Sequence, residues 1–131
     1  LQLQQMQAEG LEVGGHTATH PSLARVSLAE ARNEILGCCE ALEQNLGKAV
    51  RSFCYPNGTP DDFVGGQVEV IREAGFSCAA VAFADSGEHR QRYAMRRHAS
   101  SSDQFQFLKA VSGIELLGLK WRKALRETPY G

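Results

Sequence analysis

The sequence has no long apolar run; stretches such as residues 78–84 fall far short of the roughly 20 residues that a membrane helix needs. It has no excess of either charge, with 14 Lys and Arg against 15 Asp and Glu and a formal net charge of -1, so nothing in it reads as a nucleic-acid surface. Its four cysteines, Cys38, Cys39, Cys54 and Cys78, include no Cys-x-x-Cys pair, which argues against a thiolate metal site or a redox pair. Cys38 and Cys39 are adjacent and cannot bond each other without strain. The four thiols are expected to be small buried hydrophobes in a reduced protein, leaning towards a cytoplasmic setting. The chain opens on Leu1 rather than Met, and residues 1–9 are polar and Gln-rich, without the charged-then-apolar pattern of a signal peptide. The start is therefore read as a cut edge, with no bearing on a leader in the parent protein. Internal repeats and low-complexity linkers are absent too.

What is present is the composition of one globular domain over residues 1–131, with 43% hydrophobic and 22% charged residues. Residues 1–9 read as the tail of a helix closed by Gly10, and residues 11–13 alternate as a short strand before Gly14-Gly15. Ser27-Leu28-Ala29-Glu30 has the form of a capping box. Leu28, Ala31, Ile35, Cys38 or Cys39, Leu42 and Leu46 then recur at helical spacing up to Gly47. A strand over 50–55 ends at Pro56-Asn57-Gly58, and Thr59-Pro60-Asp61-Asp62 opens a second helix, weakened by Gly65-Gly66, that runs to Gly75. Residues 77–83 form an apolar run suited to a strand buried on both faces. The alternation of strand and helix predicts an α/β fold with a parallel sheet, open or curled into a barrel, with ligands at the carboxyl ends of the strands. Beyond Arg97, Phe105, Leu108, Val111, Leu116, Leu117, Leu119, Trp121 and Leu125 alternate with basic residues. They predict amphipathic packing helices, so that residues 100–131 read as a helical C-terminal extension.

Two clusters carry candidate chemistry. His16-Thr17-Ala18-Thr19-His20 sets two imidazoles four positions apart, on one face if the turn is helical, where they can share a cation. On spacing alone a structural role, with His20 closing the turn before Pro21, stays equally open. A catalytic zinc generally takes three protein ligands, so a third must come from elsewhere. The second cluster, Arg51-Ser52-Phe53-Cys54-Tyr55-Pro56-Asn57-Gly58, is a strand ending in a turn; such a turn can aim backbone N–H groups into a site or be an ordinary turn.

Together, with a helix between them, the clusters resemble the polysaccharide deacetylases of carbohydrate esterase family 4, the nodulation-type homology domain. That family has a His-Ser/Thr-x-x-His motif, matched by His16, Thr17 and His20, and an Arg-x-Phe-x-x-Pro-x-Gly motif, matched by Arg51, Phe53, Pro56 and Gly58. The resemblance covers roughly residues 10–97. It implies part of a distorted (β/α) barrel with parallel strands, followed by the C-terminal helices. It also implies a divalent metal, zinc by preference, held by His16 and His20, and hydrolysis of N-acetyl or O-acetyl groups on a polysaccharide. By the same resemblance the Asn57 backbone serves as oxyanion donor, Arg51 supports the site, and Tyr55 and Pro56 contact an acetylated glycan. The family's Thr-Phe-Asp-Asp-Gly motif, source of its general base and third metal ligand, does not occur in this sequence. Asp61-Asp62 is not that motif; following the Pro-Asn-Gly turn, it reads as a helix start favoured by the dipole.

The sequence departs from the family at Cys54, where many members have an arginine that pairs with the catalytic aspartate, and at Asn57, where many have tyrosine. The family's late histidine, its general acid, has no clean match. His98 in Ala94-Met95-Arg96-Arg97-His98 is the nearest candidate, with surface placement as its alternative, and Arg97 resembles the arginine that ends a late barrel strand in some members. Without the general base this stretch alone is expected to be close to inactive. A second reading is a catalytically degenerate glycan-binding or structural module of the same fold, and a third is an α/β domain without metal in which His16 and His20 do not converge. If the family's first strands precede residue 1, the strand at 11–13 leaves an open edge that invites self-association.

Overall fold

The computed structural model describes residues 2–62, 65–82, 92–97 and 102–114. Helix α1 (Gln2–Ala8) ends at Gly10, whose φ of 92° is open to glycine without strain. Helix α2 (Leu28–Leu46) forms where local chemistry dictates. The Ser27 hydroxyl accepts from the Glu30 N–H at 3.2 Å, and the Glu30 carboxylate accepts from the Ser27 N–H at 2.9 Å. Gly47 closes the helix in the left-handed region at φ 70°. Ala31, Ile35, Cys38, Cys39 and Leu46 are buried as their spacing predicts, whereas Leu28, expected on that face, is 56% exposed.

Strand β1 (Ser52–Cys54) pairs in parallel with β2 (Cys78–Val81), which pairs in parallel with β3 (Met95–Arg96). Between β1 and β2 the expected long helix is divided into a 3-10 turn, Pro60–Asp62, and helix α3 (Gly65–Glu73). Gly65-Gly66 thus start a helix rather than weaken its middle. Helix α3 packs on α2: the Cys39 thiol donates to the Ala74 carbonyl at 3.4 Å, and Arg32 pairs with Glu73. Helix α4 (Gln104–Ser112) is capped by Asp103, which accepts from the Gln106 N–H at 2.9 Å. The packing face expected there is not buried, since Phe105, Phe107, Leu108 and Val111 are all exposed. The rest of the expected C-terminal helices, from 115 onwards, lies outside the described residues.

The core lies between the sheet and α2 and α3, built from Leu23, Ala31, Ile35, Val50, Phe53, Tyr55, Val70, Ile71, Phe76, Ala79 and Val81 with their neighbours. At its centre the Phe53 ring sits edge-on to Tyr55 at 5.5 Å and tilted on Phe76 at 5.2 Å, geometries that aromatic quadrupoles favour. The described part of β2 alternates half-buried and buried rather than being buried on both faces, as its apolar run predicts.

The first strand is the main departure from the sequence reading. No strand forms over 11–13; pairing occurs instead at Gly15, whose N–H donates to the Ser52 carbonyl at 2.8 Å and whose carbonyl accepts from the Cys54 N–H at 2.8 Å. The glycines read as the end of a strand are the residues that permit the approach. A Cβ on Gly14 would stand 2.7 Å from the Ser52 Oγ, and one on Gly15 would stand 2.7 Å from the Phe76 ring. The edge expected at 11–13 therefore has no strand to carry it. Among the described residues the sheet is three parallel strands plus this one bridge, not a closed barrel. No described helix is long and apolar enough to cross a membrane.

A Gly15→Ala substitution forces a methyl into the aromatic cluster and should destabilise the fold by about 1–3 kcal/mol, the usual cost of overpacking. Urea unfolding is the check, and an unchanged midpoint would show that the bridge to β1 tolerates a side chain.

Candidate functional site

The histidine loop begins where Gly15 leaves the sheet. Pairing of Gly15 beside Phe53 sets His16 next to Cys54, and the His16 Nδ1 lies 2.7 Å from the Cys54 carbonyl oxygen. A carbonyl only accepts, so Nδ1 carries a proton, and in the neutral imidazole the lone pair is then on Nε2, the tautomer a metal ligand requires. The His16 and His20 rings meet edge to face with centroids 4.7 Å apart. The two imidazoles therefore converge, His16 half-buried and His20 exposed. They do so by a route other than the helical turn expected from their spacing: Thr17 and His20 both have positive φ, 65° and 64°. For a β-branched residue such as Thr17 that conformation is an outlier and costs of order 1–3 kcal/mol unless its surroundings enforce it.

The surroundings do enforce it. The Thr17 hydroxyl accepts from the His20 N–H at 3.1 Å. From α2, Glu34 accepts from the Ala18 N–H at 2.9 Å, the Thr19 N–H at 2.8 Å and the Thr19 hydroxyl at 2.8 Å. These donors hold the Glu34 carboxyl below its ordinary value of 4.5, the Thr19 N–H first among them. After Pro21, the Ser22 hydroxyl donates to Asp62 at 2.5 Å.

The second loop leaves β1 through Tyr55, whose N–H donates to the Ala80 carbonyl at 3.1 Å. Asn57 is exposed with φ 55°, and its N–H meets no acceptor among the described residues. Gly58, with φ 73°, has no room for a side chain: a Cβ would lie 2.8 Å from the Ala82 nitrogen and 2.9 Å from the Arg97 guanidinium. Arg97, just past β3, donates to the Asn57 carbonyl at 3.1 Å and so fixes the turn. Burial pushes the Cys54 thiol above its ordinary 9.0, partly offset by Arg97 beside it.

Other expected site residues fall elsewhere. Tyr55 and Pro56, read as glycan contacts, are both buried, Tyr55 in the core at 0% exposed; the alternation of β1 that buries Phe53 buries Tyr55 as well. Arg51 is exposed at the opposite end of β1, beside Glu12, Val13 and Lys48. His98 lies outside the described residues, as does His89. Asp61 is exposed as a helix-start residue would be, but Asp62 is buried and engaged by both loops. Glu34 and Asp62 were missed as site residues, although Thr59-x-x-Asp62 has the form of a capping box, and the Thr59 N–H does reach Asp62 at 3.3 Å. Among the described residues no group of three or more His, Cys, Asp and Glu side chains could hold a metal; the histidine pair fits as two ligands of a site needing one more.

A family profile described as polysaccharide deacetylase matches residues 1–79 of the 131. The chain belongs to the polysaccharide deacetylase family. Solved structures share the fold. The deacetylase PplD of Streptococcus pyogenes in complex with acetate is 16% identical with a TM-score of 0.67, over 83% of this chain and 48% of that one. A de-N-acetylase from Aggregatibacter actinomycetemcomitans is 16% identical with a TM-score of 0.63, over 82% and 50%. A polysaccharide deacetylase from Bacillus cereus is 26% identical with a TM-score of 0.59, over 79% and 34%. The deacetylase-family chain thus spans about half the length of the first two and a third of the last. No curated protein matches it.

Because the folded-state pKa of Glu34 lies below 4.5, its support of the histidine loop is fully present above that pH and is lost as pH falls through the lower folded value. The amide resonances of Ala18 and Thr19 should therefore titrate with an apparent pKa below 4.5. A midpoint at or above it would contradict these hydrogen bonds, and Glu34→Gln should abolish the transition.

Proposed function

We propose that this chain carries part of the active site of a metal-dependent hydrolase that removes N-acetyl or O-acetyl groups from a polysaccharide. The observation that supports this most is the His16 Nδ1–H donated to the Cys54 carbonyl at 2.7 Å, in a ring whose centroid lies 4.7 Å from that of His20. In this reading His16 and His20 hold a divalent metal, preferably zinc, with a third ligand from outside the described residues. Bound there, the metal lowers the pKa of its water towards about 7 and polarises the acyl carbonyl.

The chain's own residues supply position and charge stabilisation. Asn57, exposed at the tip of its turn, offers its N–H to the oxygen that becomes negative as the acetyl carbon is attacked, where a preorganised donor acts most strongly. Arg97 and Gly58 hold that turn in its left-handed conformation. Cys54 contributes its carbonyl, which sets the His16 tautomer, rather than its thiol, which burial keeps protonated. The general acid, for which His98 is the candidate, and the aspartate base of the family motif complete the reaction in this reading. An acetylated glycan is then the substrate.

Isothermal titration of the chain with Zn²⁺ should show one site that His16→Ala and His20→Ala each remove. In the full protein that contains this chain, His16→Ala should slow acetate release from an N-acetylated oligosaccharide by more than the roughly 10–100-fold that loss of an outer-shell partner costs. Zinc binding unchanged in both variants would refute the reading.

A further inference from the structure

Asp62 is 8% exposed, yet its carboxylate lies between the two loops that carry the site. One oxygen accepts from the Ser22 hydroxyl at 2.5 Å; the other accepts from the Thr59 hydroxyl at 2.5 Å and from the Thr59 N–H at 3.3 Å. Ser22 stands two residues past His20, and Thr59 two residues past Asn57. The Ser22 hydroxyl makes no capping bond to the 3-10 turn Leu23–Arg25 that it precedes; it is committed to Asp62 across the loops.

A helix-start role accounts for the Thr59 bonds, the reciprocal arm of a capping box, but not for the burial of the carboxylate or for the bond from Ser22. The dipole of a short turn is served by an exposed carboxylate such as Asp61, without the cost of desolvating a charge. A buried carboxylate persists when its acceptor sites are filled, and here one oxygen is filled within its own segment by Thr59 and the other from the histidine-loop segment by Ser22. The side chain also has the geometry for coupling: both its oxygens accept, one for each loop, whereas an amide offers a single acceptor oxygen. The two loops need such a brace, since Thr17, His20 and Asn57 all hold positive φ. Glu34 secures the front of the histidine loop, with its hydrogen bonds going to Ala18 and Thr19.

We infer that Asp62 is a positioning residue that couples the histidine loop to the Asn57 turn, fixing the separation between the metal-ligating pair and the N–H that faces the oxyanion. The inference rests on the metal reading for its functional meaning and on geometry for the coupling.

Two readouts on the whole chain separate these. Per-residue amide exchange by NMR should show Asp62→Ala loosening Ala18, Thr19 and His20 together with Gly58 and Thr59, each by more than tenfold, with Asp62→Asn intermediate. Titration with Zn²⁺ should show Asp62→Ala weakening binding by about 10–100-fold, as loss of an outer-shell partner does. Ser27→Ala, which removes the α2 cap remote from Asp62, serves as the control for a merely structural loss and should leave zinc affinity unchanged. If Asp62→Ala does not fold, Ser22→Ala severs one arm and should speed exchange at His20 and weaken zinc binding. Should the unaltered chain bind no Zn²⁺, the metal reading fails while exchange still decides the coupling. Exchange faster in one loop only, or uniformly faster throughout the chain, would overturn it, as would a Ser27→Ala loss of zinc affinity equal to that of Asp62→Ala.

Discussion

The close approach of Gly15 to β1 is the constraint on which the rest of the site depends. Two backbone hydrogen bonds of 2.8 Å lock that glycine between Ser52 and Cys54. The register they impose sets the His16 imidazole opposite the Cys54 carbonyl. A shift of one residue would turn His16 to the other side of the sheet, and neither the tautomer nor the meeting with His20 would survive. Phe53 and Phe76, whose rings leave only a hydrogen's width beside Gly15, therefore govern the site from the core without touching it.

Above this foundation the site is held by carboxylates that accept from loop backbone and hydroxyls. Glu34 takes three donors from Ala18 and Thr19, and Asp62 takes three from Ser22 and Thr59. Arg97 plays the complementary part, donating to the Asn57 carbonyl. The loops adopt backbone conformations that L side chains rarely take, at Thr17, His20 and Asn57. Such conformations persist where several bonds over-determine them, and Glu34, Asp62 and Arg97 supply such bonds to the two loops.

The parts legible in the sequence were those fixed by short-range chemistry. The α2 cap at Ser27 and Glu30 and the closing glycines Gly10 and Gly47 follow from residues a few positions apart; His16 and His20 do converge, but not through the helical turn that their spacing suggests. Family membership was legible because both motifs match. What escaped depends on contacts distant in the chain. Gly14-Gly15 reads locally as a break, and only Ser52, Phe53 and Phe76 reveal it as a pairing site. Asp62 reads as a helix start because its partner Ser22 is 40 residues away in sequence. Tyr55, inside the second motif, reads as a substrate contact, yet the alternation that buries Phe53 carries it into the core. Strand β3 is too short, at two residues, to announce itself by periodicity.

The central claim is that backbone pairing at Gly15 presents His16, with its proton on Nδ1, beside His20 as two metal ligands. Zinc K-edge X-ray absorption on the zinc-loaded chain tests it most directly. The account predicts imidazole scattering from two histidines at about 2.0–2.1 Å, lost in His16→Ala, which no longer holds the metal. A coordination sphere of oxygen alone, unchanged by that substitution, would contradict it.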